Sequence, residues 1–319
     1  MPVRVPATSA LLPHRSRHCS AGRRWPRALS TGTRPLSSAL GEPTEPAAAA
    51  EHITLQVDAA TGIARLTLTN TRRTNPLSLG LMLHATQLLR DQVAPSSDVR
   101  ALVLAAEPGA KFFSSGHDLG DVFVRQGKTS VAARSEAELR ALFGACSELM
   151  LVLRNLPQPT LAVVDGTAAS AGLQLAAACD IVLASSDAMF VAPGSRRGRF
   201  CHTPGVGLAE RVGPSRALEF LLLGEAWSAE QALTFGLVTK VFPAAELHAG
   251  AQAVAESLSV GVSAPGLAHG KRALREHALL PDLADKYRSA EAHMAAAMAT
   301  ADAVEGTRSM LERRPGVYS

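Results

Sequence analysis

From residue 53 onward, the hydrophobic positions follow two periods, one typical of strands and one typical of helices. Residues 53–57 and 63–68 are β-prone runs on either side of residues 58–62 (D-A-A-T-G), which predicts a hairpin with a glycine-bearing loop. Residues 77–93 carry leucine at helical spacing and predict an amphipathic helix. Residues 99–105 (V-R-A-L-V-L-A) predict a buried strand. This alternation is typical of a mixed α/β fold.

The later elements follow from the same periods. The pattern predicts helices at residues 135–154, 215–223 and 228–235, strands at 160–164, 181–184, 189–192 and 237–242, a polar turn at 70–76 and a polar loop at 195–204. From Ala244 onward the chain is alanine-rich and helical in pattern, with interruptions at Pro265 and Pro281. It therefore predicts a helical appendage after the sheet-containing part.

Residues 165–180 (D-G-T-A-A-S-A-G-L-Q-L-A-A-A-C-D) change from turn chemistry to helix chemistry within a few positions. Gly166 ends the preceding strand, small residues follow, and a nearly all-apolar helix is predicted from Leu173 onward. The start of a buried helix presents backbone N–H groups without partners, which can stabilise a developing negative charge. Gln174 is the one polar side chain within the predicted helix.

The first 41 residues differ from the rest in charge. They contain seven arginines and no acidic residue, among serine, alanine, leucine and proline. This composition is typical of a mitochondrial transit peptide, with a disordered basic tail as the alternative. Residues 1–41 therefore predict import into the mitochondrion.

The remaining chain is mildly acidic. Without the seven leader arginines, 25 basic residues face 28 acidic ones, a balance of −3. The charge gives no reason to expect a nucleic-acid partner, and no apolar run approaches the ~18 residues of a membrane span. The four cysteines have neither metal-ligand spacing nor a small secreted context, and they are interpreted as free thiols.

Several segments resemble one family in the same order along the chain. They are F-F-S-S-G-H-D-L, V-V-D-G-T-A-A-S-A-G-L-Q-L-A-A-A-C-D-I-V-L-A-S, P-G-V-G-L-A-E-R-V-G, L-L-L-G-E-A-W-S-A-E-Q-A-L-T-F-G-L-V-T-K-V and E-G-T-R-S-M-L-E-R-R-P. Together they resemble the crotonase, or enoyl-CoA hydratase/isomerase, superfamily. The resemblance implies a crotonase-like α/β spiral of β-β-α turns over residues 52–258 and a C-terminal helical trimerisation region over residues 259–319, as a homotrimer or hexamer.

The resemblance also implies a site for an acyl-CoA thioester, with CoA as part of the substrate or ligand and no separate cofactor or metal. Its two backbone N–H donors, which polarise the thioester carbonyl, fall on His117 and Ala171. Gly116 and Gly172 are suited to the turns that such donors need. The family's CoA contacts fall on Arg73, Thr74, Ser115, Asp118 and Leu119.

The sequence departs from the resemblance at the acid/base positions. Hydratases of this family carry glutamates where this chain has Gln174 and Gly194. Hydration requires a base for the water and an acid for the α-carbon, and neither an amide nor a bare glycine transfers a proton. Loss of one such group commonly costs ~10²–10⁴ in rate. We therefore expect little hydratase activity by this route.

Other side chains have two interpretations each. His117 is either a proton carrier or only a backbone donor, and Asp118 is either a base or a helix cap. Cys201 and His202 are either a catalytic pair or neighbours that point apart. Gln174 either orients a ligand or satisfies a neighbouring loop.

Charged residues nearby also leave two interpretations open. Glu210 and Arg211 are interpreted as a structural pair, and Lys271 and Arg272 as solvated charge on a surface helix rather than CoA phosphate contacts. The resemblance and the leader together imply a role in fatty acid metabolism in the mitochondrial matrix. Two function classes remain. One is an enzyme that acts on acyl-CoA thioesters by chemistry other than hydration, and the other is a non-catalytic acyl-CoA-binding protein.

Overall fold

The structure is a computed structural model that describes residues 52–126 and 130–318. The predicted leader, residues 1–41, lies outside these residues. The strands are β1 (Ile53–Asp58), β2 (Ile63–Leu68), β3 (Pro76–Leu77), β4 (Ala101–Ala106), β5 (Phe112–Ser114), β6 (Gly116–His117), β7 (Phe123–Arg125), β8 (Val131–Ala133), β9 (Thr160–Val164), β10 (Thr167–Ala169), β11 (Ile181–Ser185), β12 (Met189–Val191), β13 (Trp227–Ser228) and β14 (Lys240–Phe242). The α-helices are α1 (Leu79–Leu88), α2 (Leu119–Val122), α3 (Glu136–Asn155), α4 (Ala171–Ala178), α5 (His202–Val212), α6 (Pro214–Leu223), α7 (Ala229–Thr234), α8 (Leu247–Ser259), α9 (Ala264–Leu279), α10 (Leu283–Met298) and α11 (Ala301–Glu312).

The larger sheet has six strands in the order β1-β2-β4-β9-β11-β14. β1 and β2 pair antiparallel with Ile53 opposite Leu68, and the other neighbouring strands pair parallel. The β1–β2 turn closes where Gly62, at a φ of +69°, donates its backbone N–H to the Asp58 carbonyl at 2.7 Å. The predicted hairpin is therefore confirmed.

A second, smaller sheet has four strands in the order β13-β12-β10-β5. Two further pairings are short: β7 pairs antiparallel with β8, and β3 pairs parallel with β6. In the second of these pairings Pro76 lies opposite Gly116 and Leu77 opposite His117. This pairing places the polar turn before β3 beside the residues that follow β5.

Side chains from the larger sheet are buried on both faces. Val103 and Leu161 pack in one cluster with Leu247 of α8, whereas Leu104 and Ala162 belong to the main core on the other face. Parallel strands covered on both faces appear as continuous apolar runs in the sequence. That is why a short run such as residues 160–164 could be predicted as a strand.

Helix caps explain several confirmed or shifted boundaries. The Ser135 hydroxyl and the Glu138 side chain form a capping box, so the predicted long helix starts where expected, as α3. The first helix starts at Leu79 instead of residue 77, because Leu77 pairs in β3 and the Ser78 hydroxyl accepts a hydrogen bond from the first turn. The last five residues of the predicted helix, Leu89–Val93, form a π-helical turn that follows α1.

The predicted loop at residues 195–204 is wrong at its C-terminal end. A 3₁₀ turn at Ser195–Arg197 is followed by α5, which begins at His202. Pro204 and nearby glycines conceal this helix in the sequence, but proline is tolerated in a first turn, where the N–H has no intrahelical acceptor. The last predicted strand is shorter than expected, since Leu237 and Val238 instead donate their backbone N–H groups to one carbonyl at the end of α7.

The C-terminal helices are fastened to the sheet through one carboxylate. Asp180 lies 2.6 Å from Lys271 Nζ and 2.6 Å from an Arg275 side-chain nitrogen. Lys271 also donates to the Gln158 carbonyl at 2.8 Å, and its side chain is only 11% exposed. The interpretation of Lys271 as solvated charge is therefore wrong, although Arg272 is exposed as expected. Burial lowers the pKa of Lys271, and the charge of Asp180 opposes this effect.

Within residues 52–126 and 130–318, no helix combines the length and apolar character needed to cross a bilayer.

Candidate functional site

The first backbone turn of the site lies between β5 and α2. Gly116 has a φ of +92°, a conformation that glycine adopts without the strain of a side chain. Gly116 and His117 pair with β3, and Asp118 then donates its backbone N–H to the Leu77 carbonyl at 3.1 Å. The backbone of the predicted donor His117 is therefore fixed by pairing on one side of the chain.

The second backbone turn lies between β10 and α4. Ser170 has φ +50° and ψ −113°, and a non-glycine residue held in such a conformation costs on the order of 1–3 kcal/mol. Its backbone N–H donates to the Val191 carbonyl at 2.8 Å, but its side chain does not cap the helix. Ala171 is the first helical residue, where an N–H has no intrahelical acceptor. The helix that was predicted from Leu173 thus starts at the predicted donor itself.

The two turns touch through their backbones. A Cβ atom on Gly116 would lie 3.1 Å from the Ala171 nitrogen and 3.0 Å from the Ala169 oxygen. A Cβ atom on Gly172 would lie 2.7 Å from the Ser114 Cβ. Gly172 has no room for a side chain, and at Gly116 the neighbouring backbone would have to move to admit one. The glycines therefore permit the close approach that puts both predicted donor residues on one surface.

A cavity of about 690 Å³ opens beside these turns, a size that suits a small-molecule ligand. His117, Ala171 and Gly194 line it, as do all five predicted CoA contacts, Arg73, Thr74, Ser115, Asp118 and Leu119. Its walls also include residues that were not predicted as site residues, among them Val122, Phe143, Arg197, Arg199 and Phe200.

Comparison with known proteins assigns this architecture. Residues 58–319 match the family described as Enoyl-CoA hydratase/isomerase. The chain is 38% identical over 259 residues to "Enoyl-CoA hydratase domain-containing protein 3, mitochondrial" of Homo sapiens, a match that covers 81% of each chain. The crystal structure of the human protein of that name has a TM-score of 0.76 and 34% identity, covering 83% of this chain and 99% of that one. An enoyl-CoA hydratase structure from Mycobacterium smegmatis also has a TM-score of 0.76, with 33% identity and coverage of 83% and 98%.

The chain belongs to the enoyl-CoA hydratase/isomerase family. Its fold is the crotonase-like α/β fold with a C-terminal helical region, as the resemblance predicted.

Gln174 of this family member lies apart from the main cavity. Its side chain is buried, at 6% exposure, and its carbonyl oxygen accepts a weak hydrogen bond from the Cys146 thiol at 3.8 Å. It lines a second cavity of about 240 Å³ between α3, α4 and α5, and Thr203 lines both cavities. The position at which the resemblance expects a glutamate therefore carries an amide that faces a side pocket.

Gly194 lies in the main cavity wall, where a neighbouring thiol fills the space of a side chain. A Cβ atom on Gly194 would lie 2.8 Å from Cys201 Sγ and 3.1 Å from the Cys201 nitrogen. The Gly194 carbonyl accepts hydrogen bonds from the backbone N–H groups of Arg197 and Arg199, both at 2.9 Å. The chain folds back over this residue, so a glutamate would not fit here without movement of Cys201.

His117 places its imidazole at the cavity. Its ring is half-buried and packs edge-on against Phe143, with centroids 5.3 Å apart. Its Nδ1 is buried without a hydrogen-bond partner in the described part of the chain. Burial lowers the pKa of His117, and the backbone of Leu77 and the charge of Asp121 only partly oppose this effect. The side chain is therefore available as a proton acceptor, while the backbone-only interpretation stays open.

Asp118 acts as a helix cap, which confirms the structural interpretation. Its carboxylate accepts the Gly120 N–H at 2.9 Å at the start of α2 and lies 2.9 Å from an Arg73 side-chain nitrogen. Both interactions occupy the carboxylate. Asp118 is thus a poorly available base, although it lines the cavity.

Cys201 and His202 both line the cavity but do not contact each other through a hydrogen bond. The Cys201 thiol lies 4.0 Å from the Ser170 hydroxyl, whereas the His202 ring packs edge-on against Phe200 with centroids 5.2 Å apart. The two side chains have different partners, as expected of sequence neighbours. No catalytic Cys-His pair is formed.

Glu210 and Arg211 are structural, but each bonds to a different element. Glu210 pairs with Arg154 of α3 at 2.5 Å, and Arg211 donates to the Ala177 carbonyl at 2.8 Å and to the Cys179 carbonyl. Arg211 thereby satisfies the last carbonyls of the helix that begins with Ala171. The donor helix is held at its far end as well as at its start.

The sequence carries a signal for some of the unpredicted wall residues and none for others. Phe143 belongs to the predicted helix α3, and nothing in its helical pattern distinguishes a cavity-facing position. The run S-R-R-G-R was visible, because three arginines within four positions of a loop are unusual. Among the residues that the structure describes, no group of three or more His, Cys, Asp or Glu side chains is arranged to hold a metal ion.

Proposed function

We propose that the main cavity binds an acyl-CoA thioester, with its carbonyl oxygen accepting hydrogen bonds from the backbone N–H groups of His117 and Ala171. The backbone contact between the two turns, at Gly116 and Gly172, is the observation that carries this proposal. Two preorganised N–H donors stabilise an enolate-like oxygen without moving during the reaction. Substitution by ordinary side chains at either glycine would separate them.

The CoA portion binds on the side of the first turn. Arg73, Thr74 and Ser115 line the cavity there, next to Asp118 and Leu119. Arg73 is 63% exposed, so its guanidinium can reach a phosphate while Asp118 orients it. CoA enters as part of the ligand, and the proposal requires no separate cofactor.

The bound thioester undergoes chemistry other than standard hydration. Gln174 and Gly194 provide no carboxylate, so the paired acid and base of hydration are absent by this route. Titratable side chains nevertheless line the cavity, namely His117, Cys201 and His202. They favour an enzyme of isomerisation, decarboxylation or thioester cleavage, in which stabilisation of the carbonyl oxygen is the main requirement.

A non-catalytic acyl-CoA-binding protein is the second candidate. Asp118 is the one carboxylate among the described wall residues, and Arg73 and the cap of α2 already engage it. A cavity whose described walls offer no free carboxylate can bind the thioester without converting it, as a sensor of acyl-CoA would.

The proposal also covers the cellular compartment and the oligomeric state. The human and mouse relatives are named mitochondrial, and the acid-free leader supports import into the mitochondrion. Binding of acyl-CoA thioesters would place the protein in fatty acid metabolism in the matrix. Apolar side chains on α9 and α10 are at least 60% exposed and would be covered in a homotrimer or hexamer: Leu274, Leu279, Leu283, Tyr287, Met294 and Met298.

Calorimetry on the full chain tests binding through the carbonyl. We expect butyryl-CoA to bind more tightly than its thioether analogue, which lacks the carbonyl oxygen. If the thioester and the thioether bound equally well, the assignment of the donors would be wrong, and if no CoA thioester bound, the whole proposal would fail.

Mass spectrometry after incubation with saturated, unsaturated and carboxylated acyl-CoAs separates the two candidates. A new product whose amount falls in the Gly116→Ala variant supports an enzyme. Unchanged thioesters support a binding protein. Hydration of an enoyl-CoA at ordinary hydratase rates, unaffected by Gln174→Ala, would contradict the non-hydratase chemistry.

A further inference from the structure

The cavity carries an excess of positive charge on one wall. Asp118 is the only acidic residue among the described wall residues, and Arg73 pairs with it. Arg197 and Arg199 also line the cavity. Within residues 52–126 and 130–318, neither guanidinium lies within ion-pair distance of a carboxylate. Two positive charges therefore face the cavity without an acidic partner.

Arg196, in the same segment, differs from Arg197 and Arg199 because it has an acidic partner. Arg196 donates to the Leu223 carbonyl at 2.7 Å and pairs with Glu225 at 2.7 Å, and it does not line the cavity. Arg199, by contrast, rests over the Phe123 ring at 5.6 Å, a contact that leaves its N–H groups available. The segment thus uses one arginine to hold its own fold and leaves two at the cavity.

The backbone of these two arginines belongs to the segment beside the second donor turn, and the Arg199 guanidinium extends to Phe123, which follows α2. Their backbone N–H groups bond to the Gly194 carbonyl, and Cys201 of the same segment reaches Ser170, the residue before Ala171. The proposed CoA contacts lie on the other turn. If the CoA portion lies on the first turn and the carbonyl lies between the turns, residues 194–204 form the wall that remains for the acyl group.

We propose that the acyl group of the ligand carries a terminal carboxylate, bound by Arg197 and Arg199. The ligand class is thus the CoA thioesters of dicarboxylic acids. This inference rests on the proposed function of the same site. A guanidinium matches a carboxylate through two parallel hydrogen bonds, which gives direction as well as attraction.

A phosphate of CoA can bind a guanidinium in the same way as a carboxylate does. The experiment therefore has to separate an acyl carboxylate from a CoA phosphate. Glutaryl-CoA and pentanoyl-CoA have the same CoA portion and acyl groups of five carbons, and they differ in a terminal carboxylate. Titration calorimetry of the full chain with both ligands measures the contribution of that carboxylate alone. Exposed ion pairs are individually weak, and we expect two of them to favour glutaryl-CoA by about tenfold at low salt.

The double variant Arg197→Gln/Arg199→Gln should abolish this preference and leave the affinity for pentanoyl-CoA within about twofold of the parent. Arg72→Gln is the matched control, because Arg72 is also exposed but does not line the cavity, and it should preserve the preference. Circular dichroism and the thermal midpoint establish that the variants fold.

Three results would overturn the inference. Equal affinity of the parent for both ligands would exclude carboxylate recognition. An equal loss for both ligands in the double variant would assign the arginines to a CoA phosphate. Failure of both ligands to bind would refute the proposed function itself, which keeps that failure distinct from the first two.

Discussion

The donor turns and the segment at residues 194–204 form two walls of one cavity, and they are built in opposite ways. The donor turns consist of backbone in direct contact, with no space for a side chain on Gly172 and a tight contact for any side chain on Gly116. The segment 194–204 instead presents side chains, of which Arg197 and Arg199 are exposed and without an acidic partner in the described residues. A site made of backbone tolerates few substitutions, whereas a site made of side chains can change its chemistry while the fold stays the same.

The largest expected effect comes from the far end of the donor helix. Asp180→Ala removes the partner of both Lys271 and Arg275, which are mostly buried. Removal of one member of a buried ion pair leaves charge without compensation, and we expect a loss of about 3 kcal/mol in the free energy of unfolding. Urea unfolding measures this loss. A cost below about 1 kcal/mol, the range of exposed ion pairs, would show that the anchor is weak.

A smaller loss of stability, with weaker thioester binding, is expected for Gly116→Ala. The new Cβ would crowd the Ala171 nitrogen, and residue 116 would have to keep a φ of +92°. Strain and overpacking together should cost about 2 kcal/mol. Gly109→Ala is the matched control, since Gly109 has a φ of +75° but no atom within 4 Å of the added Cβ. Equal loss of thioester binding in both variants, by calorimetry, would mean that the contact between the turns does not matter.

A double-mutant cycle sharpens the comparison at the other wall. Gly194→Ala places a Cβ against the Cys201 thiol, so its cost should fall when Cys201→Ala is already present. We expect a coupling energy of about 1 kcal/mol in the free energy of unfolding. Additive effects of the two substitutions would show that the thiol does not occupy the space of a side chain at residue 194.

The smallest expected effect is a pH dependence at His117. Burial lowers its pKa in the folded protein below the ordinary value of 6.5, so the unfolded chain takes up the proton first. The stability that the neutral imidazole contributes should therefore be lost as the pH falls below about 6.5. His117→Gln removes this contribution. The difference in unfolding free energy between parent and variant should shift against the parent from pH 7.5 to pH 5.5, and a constant difference would contradict the assignment.

Much of the fold could be predicted from local patterns. The β1–β2 hairpin follows from Asp58 and Gly62, and the start of α3 follows from the capping box at Ser135 and Glu138. Both signals involve residues a few positions apart, which interact whatever the rest of the chain does. The start of α5 at His202 was missed, because Pro204 and its glycines resemble a loop until tertiary packing places them.

The site could be predicted only in part, for a related reason. The donor residues and the CoA-side residues were expected from the family resemblance, and the cavity brings them together at His117, Ala171 and Arg73. The thiol of Cys201 at Gly194 and the bond between Asp180 and Lys271 join positions that local patterns do not connect. The separation of Gln174 into a side pocket likewise depends on the packing of three helices.

The vibrational frequency of the bound thioester carbonyl tests the central claim most directly. Infrared difference spectra of the full chain with an acyl-CoA carrying a ¹³C label at the carbonyl isolate this one bond. If the N–H groups of His117 and Ala171 polarise the carbonyl, its stretch should move to lower frequency on binding, and the shift should be lost in Gly116→Ala but kept in Gly109→Ala. A thioester that binds with its carbonyl stretch at the frequency found in water would contradict the account.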